Sequence, residues 1–116
     1  MRIQRALLPA LLMLALTAHG VAQQLPVLGQ GNIKCDSWLE RRQGNAPEGA
    51  AATAWLLGYL TAFNHYQAMP RRDVSGGKST EELTAWIDGY CRDNPSNDLY
   101  QASIALVQAL LKTAGE

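Results

Sequence analysis

Histidine and cysteine are scarce in this chain of 116 residues, with two of each, and Lys plus Arg balances Asp plus Glu at ten each. His19 lies just after an N-terminal apolar run, within the predicted signal peptide, which leaves His65 as the only histidine of a processed chain. No set of three or four metal ligands is therefore visible. A Gly-x-Ser-x-Gly nucleophile elbow is also missing. We expect no metal, no cofactor and no enzymatic activity.

A phosphate-binding loop is matched only in part. Gly77-Lys78-Ser79-Thr80 resembles the end of such a loop, but the full pattern needs a glycine five residues before Gly77, where Arg72 stands. A loop that leads into a capped helix explains these residues better.

Long apolar runs are missing after residue 22, and the one before it covers residues 6–18. This run is too short to span a bilayer. Arg2 and Arg5 precede it, and small residues follow at Gly20 and Ala22. The pattern predicts a secretory signal peptide over 1–22, cleaved after Ala22 or alternatively after Gly20. We expect a periplasmic or secreted protein with no membrane insertion after cleavage.

The mature chain has no basic excess. Without Arg2 and Arg5, eight Lys and Arg face ten Asp and Glu, a net charge of about −2. Nucleic-acid binding needs a basic patch, so we exclude it. Other proteins are the expected partners of a monomer or homodimer.

Both cysteines lie in the mature segment. An even number of cysteines in an exported chain predicts a disulfide, here Cys35–Cys91, with two separately buried thiols as the alternative. Closing a loop of this length contributes about 4 kcal/mol in the chain-entropy model.

The domain begins at the first of these cysteines. Residues 23–34 contain Pro and Gly without a period and are interpreted as an N-terminal arm, and residues 35–116 as one helical domain. A short first helix is predicted from Asp36 to Arg42, ended by Gly44-Asn45-Ala46-Pro47.

The second predicted helix, Ala50 to about Gln67, is apolar all round. Such a helix is typically buried, so we expect it at the centre of the domain. Gly58 in its middle costs helix stability, about 1 kcal/mol relative to alanine. Close approach of a neighbouring helix would compensate for this cost.

Met69 to Lys78 is predicted to be a loop that precedes a third helix. Ser79 and Glu82 match a capping box. The helix then places a set of apolar residues on one buried face, namely Leu83, Trp86, Ile87, Tyr90 and Cys91.

A last helix is predicted from about Asn97 to Thr113, capped by Ser96 or Asn97. It carries two neighbouring apolar stripes, Leu99, Leu106 and Leu110 and then Tyr100, Ile104, Val107 and Leu111. So wide an apolar arc indicates either deep burial or a partner surface.

Three tryptophans fall one per helix in the first three helices, at Trp38, Trp55 and Trp86. They are more often core residues than a ligand cage. The pairs Arg41-Arg42 and Arg71-Arg72 form either a solvated rim or a contact for an acidic partner, and solvation is the default.

Several short motifs resemble one protein family. A cysteine opens the first helix (Cys35-Asp36-Ser37-Trp38-Leu39), the second helix contains Trp55-Leu56-Leu57-Gly58-Tyr59-Leu60, and the second cysteine precedes Asn94-Pro95. This arrangement resembles the HdeA/HdeB acid-stress chaperones of bacterial periplasms. The resemblance implies an all-α, four-helix orthogonal bundle with one disulfide.

A second resemblance is carried by Leu57-Gly58-Tyr59-Leu60 and by Asn94-Pro95 through Ala105-Leu106-Val107. These segments are similar to the Rap/Tai immunity proteins of type VI secretion, which block a toxin that cuts cell walls. The cysteines of that family fall differently. An accessory subunit of an envelope complex is a third possibility.

Each resemblance implies its own partner-binding residues. For a chaperone, unfolding clients would bind apolar side chains of the second and last helices, namely Trp55, Tyr59, Phe63, Tyr100, Ile104, Val107 and Leu111. For an immunity protein, a cognate toxin would bind the loop Met69–Lys78 through Arg71, Arg72 and Asp73.

Overall fold

A computed structural model describes residues 24–44 and 47–115, so the predicted signal peptide over 1–22 lies outside the described residues. The described part contains four α-helices and no β-strand. They are α1 (Cys35–Gln43), α2 (Pro47–Tyr66), α3 (Thr80–Asp93) and α4 (Leu99–Ala114), preceded by a 3₁₀ turn (Gly29–Asn32). The predicted small all-α fold with one disulfide is confirmed.

Helices α1 and α3 are joined covalently and by a polar cluster. The predicted Cys35–Cys91 disulfide is present, with Cα atoms 4.8 Å apart and both residues fully buried. One turn further along α1, the buried Trp38 donates from Nε1 to Asp88 Oδ1 at 2.7 Å. Arg42 donates to the same carboxylate from Nε and Nη2, at 3.1 and 3.2 Å. Helix α1 is thus tied along its length, at Cys35, Trp38 and Arg42, to the last half of α3.

Helix α2 begins at Pro47, three residues before the predicted start at Ala50. Proline suits the first turn of a helix, because a backbone N–H in that turn has no partner within the helix. The helix ends at Tyr66, one residue before the predicted end.

The predicted all-round burial of α2 is wrong. Only Ala52, Leu56 and Leu60, spaced by four residues, are buried. The opposite side is exposed, and a Cβ added at Gly58 would meet nothing within 4 Å. The expected close approach of a helix at Gly58 is therefore wrong as well. Helix α2 packs against α1, α4 and the 3₁₀ turn along one side only.

Helix α3 follows its predicted pattern. Glu82 N donates to Ser79 Oγ at 3.2 Å and Ser79 N donates to Glu82 Oε2 at 2.8 Å, so the capping box is confirmed. These hydrogen bonds to Ser79 lower the pKa of Glu82. Of the predicted face, Leu83, Ile87 and Cys91 are buried at i, i+4 and i+8, whereas Trp86 and Tyr90 are only half-buried.

The predicted cap of α4 is wrong. Asp98 caps this helix instead of Ser96 or Asn97, and it forms a capping box in which Gln101 N donates to Asp98 Oδ1 at 2.9 Å. Asn97 instead contacts α1 and α3. Its carbonyl oxygen accepts a hydrogen bond from Cys35 N at 2.8 Å, and its side-chain amide donates to Tyr90 Oη at 2.7 Å. The buried side of α4 comprises Leu99, Ala102, Ser103, Leu106, Val107 and Leu110.

The segment interpreted as an N-terminal arm packs against the helices. Leu99 N donates to Ile33 O at 3.0 Å, which ties the arm to the start of α4. Gly31 is buried, and a Cβ added there would clash with the Trp55 ring. The 3₁₀ turn therefore lies flat on α2, where any side chain at Gly31 would hold it away.

Candidate functional site

An aromatic face runs along one side of α2 and reaches α4. We define it by Trp55, Tyr59, Phe63 and Tyr66 of α2 and Tyr100 of α4. Trp55 and Tyr59 stack with ring centroids 5.6 Å apart, and Tyr59 meets Tyr100 edge-on at 5.9 Å. Burial, and then the proximity of Tyr100, raise the pKa of Tyr59. The face thus brings together predicted partner-binding residues from two helices.

The aromatic face contains a shallow groove of about 500 Å³ at the C-terminal half of α2. Tyr66 at its edge is 84% exposed, while Tyr59, Phe63 and Tyr100 are half-buried. Its lining residues are Tyr59, Ala62, Phe63, Tyr66, Gln67 and Tyr100. Aromatic rings with a few hydrogen-bonding groups are the typical lining of a binding groove.

At the other end of the aromatic face, Trp55 holds the arm. Its indole Nε1 donates to the carbonyl oxygen of Leu28 at 2.8 Å. Leu28 has an extended backbone, with φ −96° and ψ 148°. Gly29 then turns the chain with φ +69°, a conformation that favours glycine. The arm therefore crosses Trp55 with an extended backbone at Leu28 before it enters the 3₁₀ turn.

Charge is distributed unevenly over the domain. No Asp, Glu, Lys or Arg occurs from Gly49 to Pro70 or from Gln24 to Ile33. Tyr100 also borders a second groove, the arm-side groove, which lies between residues 24–27 of the arm and the start of α4. Both grooves are almost uncharged, because among the described lining residues only Asp98 brings a carboxylate, and it does so in the arm-side groove. The charged residues of the described part lie on α1 and its N-cap Lys34, in the first turn of α2 at Glu48, on α3, in the 71–78 loop and at the two ends of α4.

The other partner-binding residues predicted on α4 differ in how deeply they are buried. Ile104 and Leu111 are half-buried and Val107 is only 5% exposed. Of the second stripe, only Tyr100 belongs to the aromatic face, and Val107 belongs to the core.

The loop between α2 and α3 is organised by one carboxylate. Asp73 accepts from Asn64 Nδ2 at 3.0 Å and from the backbone N and Oγ of Ser75 at 3.0 and 2.7 Å. The hydrogen bonds from Ser75, and then that from Asn64, lower the pKa of Asp73. Val74 is buried, and its N donates to Asn64 Oδ1 at 2.8 Å. Asp73 is thus occupied in holding the loop, whereas Arg71 and Arg72 are exposed.

Arg72 and Asp73 meet the end of α4 rather than the aromatic face. Both line a hollow of about 210 Å³ together with Leu111. The loop residues and Leu111 therefore form a second cluster, separate from the groove at Tyr66.

The three tryptophans differ in how deeply they are buried. Trp38 is in the core, as expected, but Trp55 and Trp86 are half-buried. The carboxylate of Asp88 accepts hydrogen bonds from Trp38 and Arg42. Within residues 24–44 and 47–115 no three His, Cys, Asp or Glu side chains are grouped as metal ligands.

Sequence reasoning did not single out several exposed apolar residues. Tyr66 and Met69, at the end of α2, are 84% and 87% exposed, and Leu25 and Leu28 of the arm are 86% and 75% exposed. The signal that would find them is the lack of charge over the two segments that carry them. Over the part of the chain that the structure covers, no helix is long and apolar enough to cross a membrane.

Comparison of the chain with models of known protein families, with curated proteins and with solved structures gives no match. The resemblances to HdeA/HdeB chaperones and to Rap/Tai immunity proteins therefore stay predictions that rest on the short motifs named above.

Proposed function

We propose that this chain is an exported, non-catalytic protein-binding domain that acts as an acid-stress chaperone of the HdeA/HdeB kind. In this proposal the signal peptide over 1–22 is removed near Ala22 and the mature protein works in the periplasm or outside the cell. The single observation that carries the proposal is the aromatic face, since four of its five residues lie in the segment from Gly49 to Pro70, which contains no Asp, Glu, Lys or Arg.

Acid changes the rest of the domain far more than it changes this face. At strongly acidic pH the ten carboxylates protonate. With eight Lys and Arg, His65 and the amino terminus counted as positive, the mature chain then swings from about −2 to about +10. Every client protein becomes positively charged in the same way, so basic surfaces of the two chains repel each other. A face without Lys or Arg is the place where a positive client can still make apolar contacts.

The disulfide suits the same role. Self-repulsion at low pH weakens a fold and exposes apolar surface. The Cys35–Cys91 bridge spans 56 residues and holds α1 against α3 whatever the pH. A loosened chain therefore stays compact, and the apolar residues of α2 and α4 become available to clients.

The test measures structure and protection together. Near-UV circular dichroism of the oxidised mature protein, and aggregation of a test client with and without it, are recorded at neutral pH and at about pH 2 to 3. We expect the tertiary signal to fall at low pH and client aggregation to be suppressed there. An unrelated small helical protein at equal concentration is the control. Loosening without protection, or no change in either measurement, contradicts the chaperone role.

A Rap/Tai-like immunity function is the second candidate, favoured by the loop around Asp73. Its hydrogen bonds to Asn64 and Ser75 pre-form a loop that presents Arg71 and Arg72 to solvent. A pre-formed loop binds a cleft at lower entropic cost than a disordered one. Inhibition of a cell-wall-cutting toxin encoded beside the gene, lost in an Arg71→Ala/Arg72→Ala variant, would support it. Unchanged inhibition by that variant would remove the loop from this role.

A further inference from the structure

The aromatic face already holds one extended segment, which is the arm of the same chain. Leu28 offers its carbonyl oxygen to Trp55 Nε1 at 2.8 Å, and Val27 packs beside the Trp55 ring, where Gly31 leaves room for it. Recognition of this kind combines one hydrogen bond to a backbone carbonyl with apolar side chains on aromatic rings. Aromatic-lined grooves bind extended peptides by the same combination.

The groove at the other end of the face has the same components. Tyr100 borders the arm-side groove as well as this one, so the two grooves adjoin at its side chain. Tyr66 and Gln67 supply a hydroxyl and an amide at the rim, and Ala62 forms an open floor between the rings. A hydroxyl and an amide can donate hydrogen bonds to the backbone carbonyls of a bound segment, as the indole of Trp55 donates to Leu28.

We propose that the folded domain binds an extended apolar segment of another polypeptide in the groove at Tyr59, Phe63, Tyr66 and Tyr100, already at neutral pH. The inference rests on the proposed protein-binding function and adds that binding does not wait for acid loosening. Because no described residue that lines the groove carries a carboxylate, ammonium or guanidinium group, charges that flank the bound segment have little influence. The occupant is therefore chosen by apolar side chains and an extended backbone.

The experiment uses the oxidised, signal-free chain at neutral pH and two labelled peptides. Both have the same Leu-, Val- and Ala-rich centre, one with lysines and one with glutamates at its ends. Fluorescence anisotropy should show saturable binding of both, with dissociation constants within about twofold of each other at physiological salt. Ala62→Glu and Tyr66→Ala, both at exposed positions, should each weaken binding by about tenfold.

A matched control is Ala85→Glu, the same change at an exposed position of α3 away from the groove. Its affinity should stay within about twofold of the unsubstituted protein. Far-UV circular dichroism and urea unfolding establish that all variants are folded, so a loss of binding is a loss of the groove.

Three results would overturn the inference. The first is that neither peptide binds the folded protein. The second is that the groove variants bind the peptides as well as Ala85→Glu does. The third is that sedimentation shows a dimer that Ala62→Glu dissociates and that added peptide does not affect. In the last case a second copy of the chain occupies the groove. If client protection at low pH persists in any of these cases, the chaperone function stands and only the neutral-pH peptide site fails.

Discussion

The α1–α3 side of the domain and the α2–arm side are held by different interactions. On the first side, the Cys35–Cys91 bond and the Asp88 carboxylate fix two helices at defined points. On the second side, stacked rings, a glycine under Trp55 and one hydrogen bond from that indole hold the arm on α2, and Arg41 of α1 adds a hydrogen bond to Gln30 Oε1 at 2.7 Å. On the first side, removal of a single group should cause a large loss of unfolding free energy. The second side is held mainly by close packing, and it presents apolar surface to which another extended segment can bind.

Loss of the disulfide should be the largest single effect. The double variant Cys35→Ser/Cys91→Ser is expected to lose about 3 to 4 kcal/mol of unfolding free energy, because its unfolded chain is no longer cross-linked over 56 residues. Urea unfolding measures the loss. A reducing agent should destabilise the unsubstituted protein by a similar amount and leave the variant unaffected. A loss below about 1 kcal/mol would mean that the α1–α3 side does not depend on its cross-link.

Asp88→Ala should be next in size. It leaves the Nε1–H of fully buried Trp38 without an acceptor and separates Arg42 from its partner. We expect a loss of about 2 kcal/mol, most of it from the unsatisfied indole. Asp88→Asn keeps an acceptor oxygen for Trp38 and should cost about 1 kcal/mol or less, since the ion pair is partly exposed. Equal losses in urea unfolding for the two variants would contradict the importance of the indole hydrogen bond.

Gly31→Ala tests the α2–arm side. A Cβ at this position would clash with the Trp55 ring and lie 2.6 Å from Val27 Cγ1, so the arm must lift from α2. A loss of about 1 to 3 kcal/mol is expected, as for other overpacked positions. The matched control is Gly58→Ala, where a Cβ meets nothing within 4 Å and the helix should gain about 0.5 to 1 kcal/mol. If the melting temperatures of both variants shift in the same direction, the contrast between a closely packed Gly31 and an open Gly58 is wrong.

The two sides also differ in how well the sequence predicts them. In α3, charged and apolar residues alternate with the period of a helix, so Leu83, Ile87 and Cys91 could be placed on one buried face before the structure was known. In α2 the same reasoning failed, because small and apolar residues surround Leu56 and Leu60 on every side and give no polar face to orient the helix. Composition predicts burial only when polar residues mark what is left outside.

Most of the other features that the sequence did not predict are contacts between residues distant in the chain. Nothing in the residues near Asn64 predicts that its amide bonds to Asp73, or that Trp55 meets Leu28, 27 residues earlier. The cap of α4 is different, since Asp98 and Gln101 form a capping-box pattern that the sequence offers directly. The prediction of Ser96 or Asn97 is wrong because both residue types are also common caps and both precede Asp98 in the chain.

The smallest expected effect concerns the loop at the junction of the two sides. Hydrogen bonds from Ser75 and Asn64 lower the pKa of Asp73 in the folded protein. A carboxyl group whose pKa is lower when folded contributes stability above its unfolded pKa, about 3.9, and this contribution is lost as the pH falls through the folded value. Asp73→Asn should therefore be less stable than the unsubstituted protein at pH 7, and the difference should shrink below about pH 4. Thermal unfolding from pH 7 to pH 3 measures it, with Asp93→Asn, an exposed acid of α3, as control. A difference for Asp73→Asn that stays constant over this range would mean that the loop is held by groups other than the ionised carboxylate.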